Sequence, residues 1–305
     1  MISRFIAALT ALMTLLLAVP TAPAERAFLP PEGYNEHDYM AVVSFLEQPS
    51  SIEGVKNGSV LNQYYDPSDP ATFAGDPNAG ESAAWSFTWA KTEYGEYRLF
   101  SVELRAKPEL SGELALSGCE ALESAALWGL AGVSALELSG CTALGTLYCC
   151  SCGIEELSAI NCPALWYAEV SDCACLKTID FSGSALACGR AEAEGSGYIG
   201  FSAGMLTAAP LDGAEFAGWY LDGVCVSTEP QLDPSPYIGG PLTAVFSSAS
   251  VCGDMDGDGQ LSFTDVSLLY LALIGSGELS PNGDYNSDGS IDFADVARLC
   301  LALLQ

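Results

Sequence analysis

Along residues 111–187 the apolar positions recur with a period too long for a single helix or strand. The stretches "LALSGCEAL", "LELSGCTAL", "LSAINCPAL" and "IDFSGSALA" begin at Leu114, Leu136, Leu157 and Ile179, so the spacings are 22, 21 and 22 residues. A second series, "LESAALWGL", "LGTLYCCSC" and "LWYAEVSDC", begins at Leu122, Leu144 and Leu165. Self-similarity at this period predicts a solenoid in which each unit stacks its apolar positions on the next. Positions one, four, six and nine of each unit are expected to point inward. On that register Cys119, Cys141 and Cys162 share one inward position, and Cys152 and Cys173 share another. The outward set of the second series holds Ser124, Ala126, Trp128, Thr146, Tyr148, Cys150, Tyr167, Glu169 and Ser171. Trp128, Tyr148 and Tyr167 therefore fall on one face of adjacent coils. The other face carries Glu113, Glu137, Glu156 and Asp180. An exposed aromatic cluster serves to bind a protein or a glycan. The plainer reading is that the rings pack against a neighbouring segment.

The flanks change pattern. In residues 25–105, Asn35 followed by Asp38 marks a helix start, and Tyr39, Val42, Val43 and Leu46 continue at helical spacing. "DPSDPATFAGDPNAG" is a surface loop, and "AWSFTWA" and "YRLFSVEL" alternate as strands do. Together they predict a cap for the repeats. Residues 189–249 show short β-like runs between Gly/Pro turns, with Trp219 and Tyr220 expected in a core or at its edge.

The C-terminal segment holds "DMDGDGQLSFTD" from Asp254 and "DYNSDGSIDFAD" from Asp284, in register with an offset of 30. In the first stretch Asp254, Asp256 and Asp258 stand at positions one, three and five. Gly259 follows, then Gln260 at seven, Ser262 at nine and Asp265 at twelve. In the second, Asp284, Asn286, Asp288, Ser290, Asp292 and Asp295 take the same places, with Gly289 at six. This alternation turns oxygen ligands around one point, as a hard cation with six to eight ligands requires. Two Ca²⁺ ions are expected. "VSLLYLALI" and "VARLCLALL" follow the loops as apolar helices. Binding and folding should be coupled, because the loop aspartates repel one another without the ion.

Composition narrows the function. The formal charge is −29, with 10 Lys and Arg, which excludes a nucleic-acid binder. Arg4, the apolar run Phe5–Val19 and the small residues Ala22 and Ala24 predict a secretory signal over residues 1–24. No later run is long enough to span a membrane. Twelve cysteines in a secreted chain can mean disulfides, but most fall at repeat positions that want a small buried side chain. Buried thiols are the favoured reading. The cluster Cys149, Cys150 and Cys152 also raises metal or redox chemistry, yet no matching pair lies elsewhere. The single histidine, His37, has no nucleophile motif beside it.

Three resemblances follow from these motifs. The repeats resemble a nested bacterial leucine-rich repeat. "LTAAPLDGAEFAGWYLDG" and "LTAVF" resemble the internalin-type B-repeat, a small β-grasp module. The paired aspartate loops, each followed by a helix, resemble the type I dockerin over residues 252–305. The resemblances imply a multidomain α+β chain. Its parts are a signal (1–24), a helical cap region (25–105), a leucine-rich-repeat solenoid (106–188), a β-grasp module (189–249) and an all-α calcium-binding dockerin (250–305). The dockerin resemblance implies a cohesin module of a scaffoldin as partner, within a cellulosome that degrades polysaccharide. It further implies that cohesin contacts come from loop positions ten and eleven and the following helices: Phe263, Thr264, Tyr270, Leu271, Phe293 and Ala294. The expected protein is a secreted, non-catalytic component whose repeats bind a protein or glycan. The alternatives are an accessory hydrolase or inhibitor of the cellulosome, and a surface adhesin.

Overall fold

The structure is a computed structural model. It describes residues 29–75, 85–211, 213–237, 239–248, 252–256, 260–277, 280–286 and 288–304. The expected signal segment, residues 1–24, and Asp258 and Gly259 of the first aspartate loop lie outside the described residues.

The two interleaved series both become strands. In chain order these are β1 (Trp85–Lys91), β2 (Tyr97–Arg105), β3 (Ser111–Ala115), β4 (Ser124–Trp128), β5 (Gly132–Glu137), β6 (Thr146–Cys150), β7 (Glu156–Ser158), β8 (Tyr167–Ser171) and β9 (Thr178–Asp180). Strands β2, β4, β6 and β8 pair in parallel in one sheet, and β3, β5, β7 and β9 pair in parallel in the other. The chain thus winds through a flattened β-solenoid of about four turns, crossing from sheet to sheet twice per turn.

The turns explain the repeat sequence. Backbone with positive φ recurs at Gly118, Gly140, Asn161 and Gly183 after one series of strands. It recurs at Ala106, Gly129, Ser151 and Asp172 after the other. Glycine and asparagine enter this left-handed region at low cost, so the "GC" and "NC" pairs mark corners of the coil. The cysteine after each "GC" or "NC" corner turns inward, and the thiols of Cys141 and Cys162 reach the previous coil. Cys141 Sγ donates to Leu116 O at 3.1 Å, and Cys162 Sγ to Leu138 O at 3.2 Å. The inward register holds for the second series, where Leu122, Ala125, Leu127 and Leu130 are buried. In the first series the buried set is Leu114, Leu116, Cys119 and Leu122, so position three replaces position four. The strand there ends early and the corner shifts the alternation by one residue.

Residues 190–248 do not form a separate module. Here β10 (Arg190–Glu194), β11 (Gly197–Ser202), β12 (Met205–Pro210), β13 (Ala214–Leu221), β14 (Val224–Ser227), β15 (Gln231–Leu232) and β16 (Leu242–Ser248) prolong the same two sheets. The orders are β1-β2-β4-β6-β8-β11-β12-β15 and β14-β13-β16-β10-β9-β7-β5-β3. One apolar cluster runs unbroken from Tyr39 to Phe246 and takes in Trp219, which has no exposed surface.

This overturns the expected multidomain α+β architecture with a leucine-rich-repeat solenoid, a β-grasp module and an all-α dockerin. The described residues are mostly β, in two eight-stranded sheets, with four short α-helices. They are α1 (Glu36–Glu47), α2 (Asn57–Leu61), α3 (Phe263–Leu273) and α4 (Phe293–Leu303). The physical reason is that both repeat series are strand-forming and wind one continuous core, which the strands of 190–248 then extend. The helices sit at the two ends of the chain. At the C-terminal end Leu269, Ala272 and Leu299 are buried apart from the solenoid core.

The N-terminal helices protect an edge. Asn35 caps α1, its side chain accepting from Asp38 N at 3.1 Å. Tyr39, Val42, Val43, Phe45 and Leu46 are all buried. Strand β3 would otherwise present an open ladder, which invites pairing with another chain. Two amide side chains occupy it. Gln48 exchanges bonds of 3.0 and 2.8 Å with Glu113 N and O, and Asn57 exchanges bonds of 3.1 and 2.8 Å with Ser111 N and O. No helix of the described residues is long and apolar enough to cross a membrane.

Candidate functional site

The aspartate loops are organised by the helices that follow them. Ser262 is the N-cap of α3, and Asp265 returns the contact to the Ser262 amide at 2.7 Å. Asp292 caps α4 in the same way, and Asp295 accepts from Asp292 N at 2.8 Å. Each loop therefore closes in a capping box. The sequence signals "SFTD" and "DFAD" carried this second role for the closing aspartates. Asp265 also accepts from Met255 N at 2.8 Å and Asp256 N at 3.3 Å, so it ties the loop entrance to the helix. Burial alone would raise its pKa, but the amides of Met255, Ser262 and Asp256 outweigh it and hold the carboxyl below the usual aspartate range.

Carboxylate oxygens of Asp254, Asp256 and Asp265 lie within 4.8 Å of one another. Asp254 and Asp265 are buried. The segment 252–304 contains one basic residue, Arg298. Three converging carboxylates, two of them buried and Asp256 exposed, in such surroundings fit a hard cation held by oxygen. Gln260 is exposed at its expected carbonyl position. Ser262 Oγ accepts from Thr264 N at 3.0 Å, so its hydroxyl serves the helix cap.

The described side chains of the second loop are engaged by backbone amides. Asp284 accepts from Asp288 N at 3.1 Å and Gly289 N at 2.9 Å. Asn286 accepts from Asp288 N at 2.8 Å, and Asp288 from Ser290 N at 2.9 Å. Asp295 holds Asn286 N at 3.0 Å, in parallel with Asp265. Here the loop side chains fold onto their own amides. The two loops are clasped together, because Gly253 N donates to Asn282 O at 2.7 Å and Asn282 Nδ2 to Asp254 O at 3.2 Å.

Helices α3 and α4 leave large apolar side chains in solvent. Phe263 is 53% and Phe293 54% exposed, and Tyr270 and Leu271 are exposed beside them. The rings of Tyr270 and Phe293 lie 5.9 Å apart, so residues from both helices meet on one surface. Thr264 and Ala294 are exposed at its margin.

On the solenoid, Trp128, Tyr148 and Tyr167 do meet, but along a diagonal. Ladder partners are Ala126 with Tyr148 and Tyr148 with Glu169, while Trp128 faces Cys150 and Tyr167 faces Thr146. The side chains close the offset. Ring centroids are 5.5 Å apart for Trp128–Tyr148 and 5.3 Å for Tyr148–Tyr167. Two members of the row escaped sequence reasoning. Arg105 places its guanidinium 3.7 Å from the Trp128 ring centre, and Trp166 lies 5.8 Å from Tyr167. Arg105 belongs to β2, outside the repeats, so no repeat signal marked it.

The opposite sheet carries the acidic row. Glu137, Glu156, Asp180, Ser158, Thr178 and Arg190 help line a cavity of about 210 Å³. The nearest approach of Arg190 to Asp180 is 4.0 Å.

All twelve cysteines are free thiols. Cys149, Cys152 and Cys173 hydrogen-bond one another, and the contacts from Cys149 and Cys173 make Cys152 the easiest of the three to deprotonate. Elsewhere burial opposes ionisation. The thiols of Cys141 and Cys188 are pushed up to about 12, chiefly by burial. Burial also raises Cys119, with the charge of Asp38 adding to it. A pKa raised in the folded state gives stability that is complete below the unfolded value and lost as pH rises through the folded one. Between pH ~9 and ~11 the protein should therefore lose stability progressively, as the thiols ionise in the unfolded chain before they do in the folded one. Thermal melts across that range test this. A melting temperature unchanged at pH 11 would contradict it.

His37, Asp38 and Cys119 also bring ligand atoms within 4.8 Å. The Asp38 carboxylate is already engaged by Arg98 and the Leu99 amide, which leaves this cluster poorly suited to a cation. No family model, curated protein or solved structure matches the chain.

Proposed function

We propose that the protein is a secreted, non-catalytic component that docks, with Ca²⁺ in its aspartate loops, onto a cohesin module of a scaffoldin. The solenoid is then the part that binds a protein or glycan ligand during polysaccharide breakdown. One observation carries the docking half: the carboxylates of Asp254, Asp256 and Asp265 converge within 4.8 Å at the base of α3. The loops hold α3 and α4 so that Phe263, Tyr270, Leu271 and Phe293 face solvent together. An apolar surface of this kind on an otherwise strongly acidic chain suits a protein partner. In this reading Ca²⁺ supplies charge neutralisation and rigidity, while the protein's side chains supply the contact.

A pull-down of the full chain with a panel of cohesin modules, with and without chelator, tests the reading. Capture by at least one cohesin in Ca²⁺, lost on chelation, is the expected result. Capture that survives chelation, or no capture by any cohesin, would sink it.

The carboxylate-lined cavity beside Arg190 favours one other reading, an accessory hydrolase. Turnover of a plant polysaccharide by the same preparation, abolished by Glu137→Gln or Glu156→Gln, would replace the first reading with the second.

A further inference from the structure

The outward face of β2, β4, β6 and β8 is a grid of twelve side chains. Its rows across the strands are Ser101, Ser124, Thr146 and Tyr167; then Glu103, Ala126, Tyr148 and Glu169; then Arg105, Trp128, Cys150 and Ser171. All twelve are partly exposed. The aromatic residues occupy its diagonal from Trp128 to Tyr167, and Trp166 packs beside Tyr167 where β6 and β8 begin. Off the diagonal lie four hydroxyls, the carboxylates of Glu103 and Glu169, and Arg105, Ala126 and Cys150. Resting on the reading that the solenoid is the ligand-binding part, we infer that this diagonal is a binding track for a single neutral polysaccharide chain.

Shape is the first argument. A stable protein interface takes roughly 20–30 residues from each side. This row is one ring wide, and polar side chains border it on both flanks. A linear polymer fits such a track. Sugar rings present apolar C–H faces to aromatic side chains and hydroxyls at their rims. The flanking Ser124, Thr146 and Glu169 can exchange hydrogen bonds with those hydroxyls. Glu169 is already held in place, accepting from Ser202 Oγ at 2.7 Å.

Charge is the second argument. The chain carries −29, but on this grid Glu103 is paired with Arg105, which leaves Glu169 as the unpaired acid. The acidic row Glu113, Glu137, Glu156 and Asp180 belongs to the opposite sheet. A cationic partner would be drawn there, and a polyanion would be repelled by the chain as a whole. A neutral chain is indifferent to both fields.

Exposure ranks the residues. Arg105 and Tyr148 already engage Trp128, whereas Trp166 is 67% exposed. Its indole lies over Gly145, where an added Cβ would come within 3.4 Å of Nε1. The missing side chain at 145 gives the ring its seat. Trp166 is therefore the principal platform, with Tyr167 and Tyr148 as the next rungs.

Affinity electrophoresis of the full chain in Ca²⁺ tests the track. The gels contain xyloglucan, glucomannan or mixed-linkage β-glucan, with polygalacturonate as the anionic probe. Binding to poly-lysine, measured by titration, is the cationic probe. At least one neutral polysaccharide should retard the protein, and polygalacturonate should not. Trp166→Ala and Tyr148→Ala should each weaken binding about tenfold or more, while Tyr148→Phe stays within about threefold. Circular dichroism checks that each variant is folded, and Trp166→Ala removes an exposed side chain that the core does not use. Retardation that is equal in wild type and Trp166→Ala overturns the track. Binding of poly-lysine alone, lost in Trp166→Ala, keeps the ligand-binding reading and overturns the neutral ligand. No binding to any probe, with cohesin capture intact, overturns the ligand-binding reading itself.

Discussion

Asp265→Ala is expected to melt the entry to α3 and, under the proposed calcium binding, to reduce the bound ions from two to one. The Asp265 carboxylate is fully buried and accepts from three backbone amides, those of Met255, Asp256 and Ser262. It also belongs to the converging trio with Asp254 and Asp256. Alanine would orphan three donors at once and remove one oxygen ligand of the proposed cation. Buried hydrogen bonds to a charged acceptor are worth about 1.5–3 kcal/mol each. Their losses overlap, so the local cost should be about 3–5 kcal/mol. Calorimetric titration of chelated full chain should count two ions for the wild type and one for the variant. Amide exchange should accelerate along residues 263–273 and stay slow in the solenoid, whose core is separate. Asp265→Asn keeps an acceptor of the same shape without the charge. It should retain the helix and lose most of the calcium affinity at that loop. Two ions bound at unchanged affinity by Asp265→Ala would show that the loop is closed by something else.

The sequence made some of this visible and hid the rest for definite reasons. The 21–22-residue period was legible because each coil repeats its inward leucines and its "GC" or "NC" corner. The fold drawn from it was wrong where resemblance stood in for topology. Nothing in the period says whether the second series returns as helix or strand, and Ala125, Leu127, Leu147, Cys149, Ala168 and Val170 are small or β-prone enough to return as strands. Residues 190–248 looked independent because their pattern changes, yet β10 and β11 pair directly onto the coils at β9 and β8, and β16 joins them through β10. Trp128, Tyr148 and Tyr167 were correctly placed on one face, but register alone turns that face into a diagonal. Trp166, the neighbour of Tyr167, precedes β8 and so falls outside the alternation that marks a face. Arg105 joins the row by tertiary proximity, which no local spacing encodes. The same holds for Gln48 and Asn57. Their amides read as ordinary polar residues until the edge of β3 is set beside them.

Asp38→Ala should be the most damaging single substitution in the N-terminal cap. Asp38 sits in the first turn of α1, where a carboxylate ordinarily faces solvent and helps the helix start. Here it has no exposed surface. It accepts from Arg98 Nε at 2.7 Å and Nη2 at 3.2 Å, and from Leu99 N at 3.0 Å. Arg98 and Leu99 belong to β2, which feeds the first coil directly. One side chain thus fastens the cap helix to the solenoid. The pair also raises the pKa of Arg98, chiefly through the bond to Asp38, so the guanidinium cannot escape by losing its proton. Alanine would leave a largely buried cation and an unpaired amide. Removing one partner of a buried ion pair costs about 3–5 kcal/mol. Urea denaturation should show a fall of that size, with the midpoint lowered in proportion. Asp38→Asn keeps two acceptor–donor contacts and should cost less, about 1–3 kcal/mol. The double substitution Asp38→Ala with Arg98→Met should recover part of the loss, since it removes the stranded charge as well. A double variant less stable than Asp38→Ala alone would mean that Arg98 holds the cap through its stem and not through its charge.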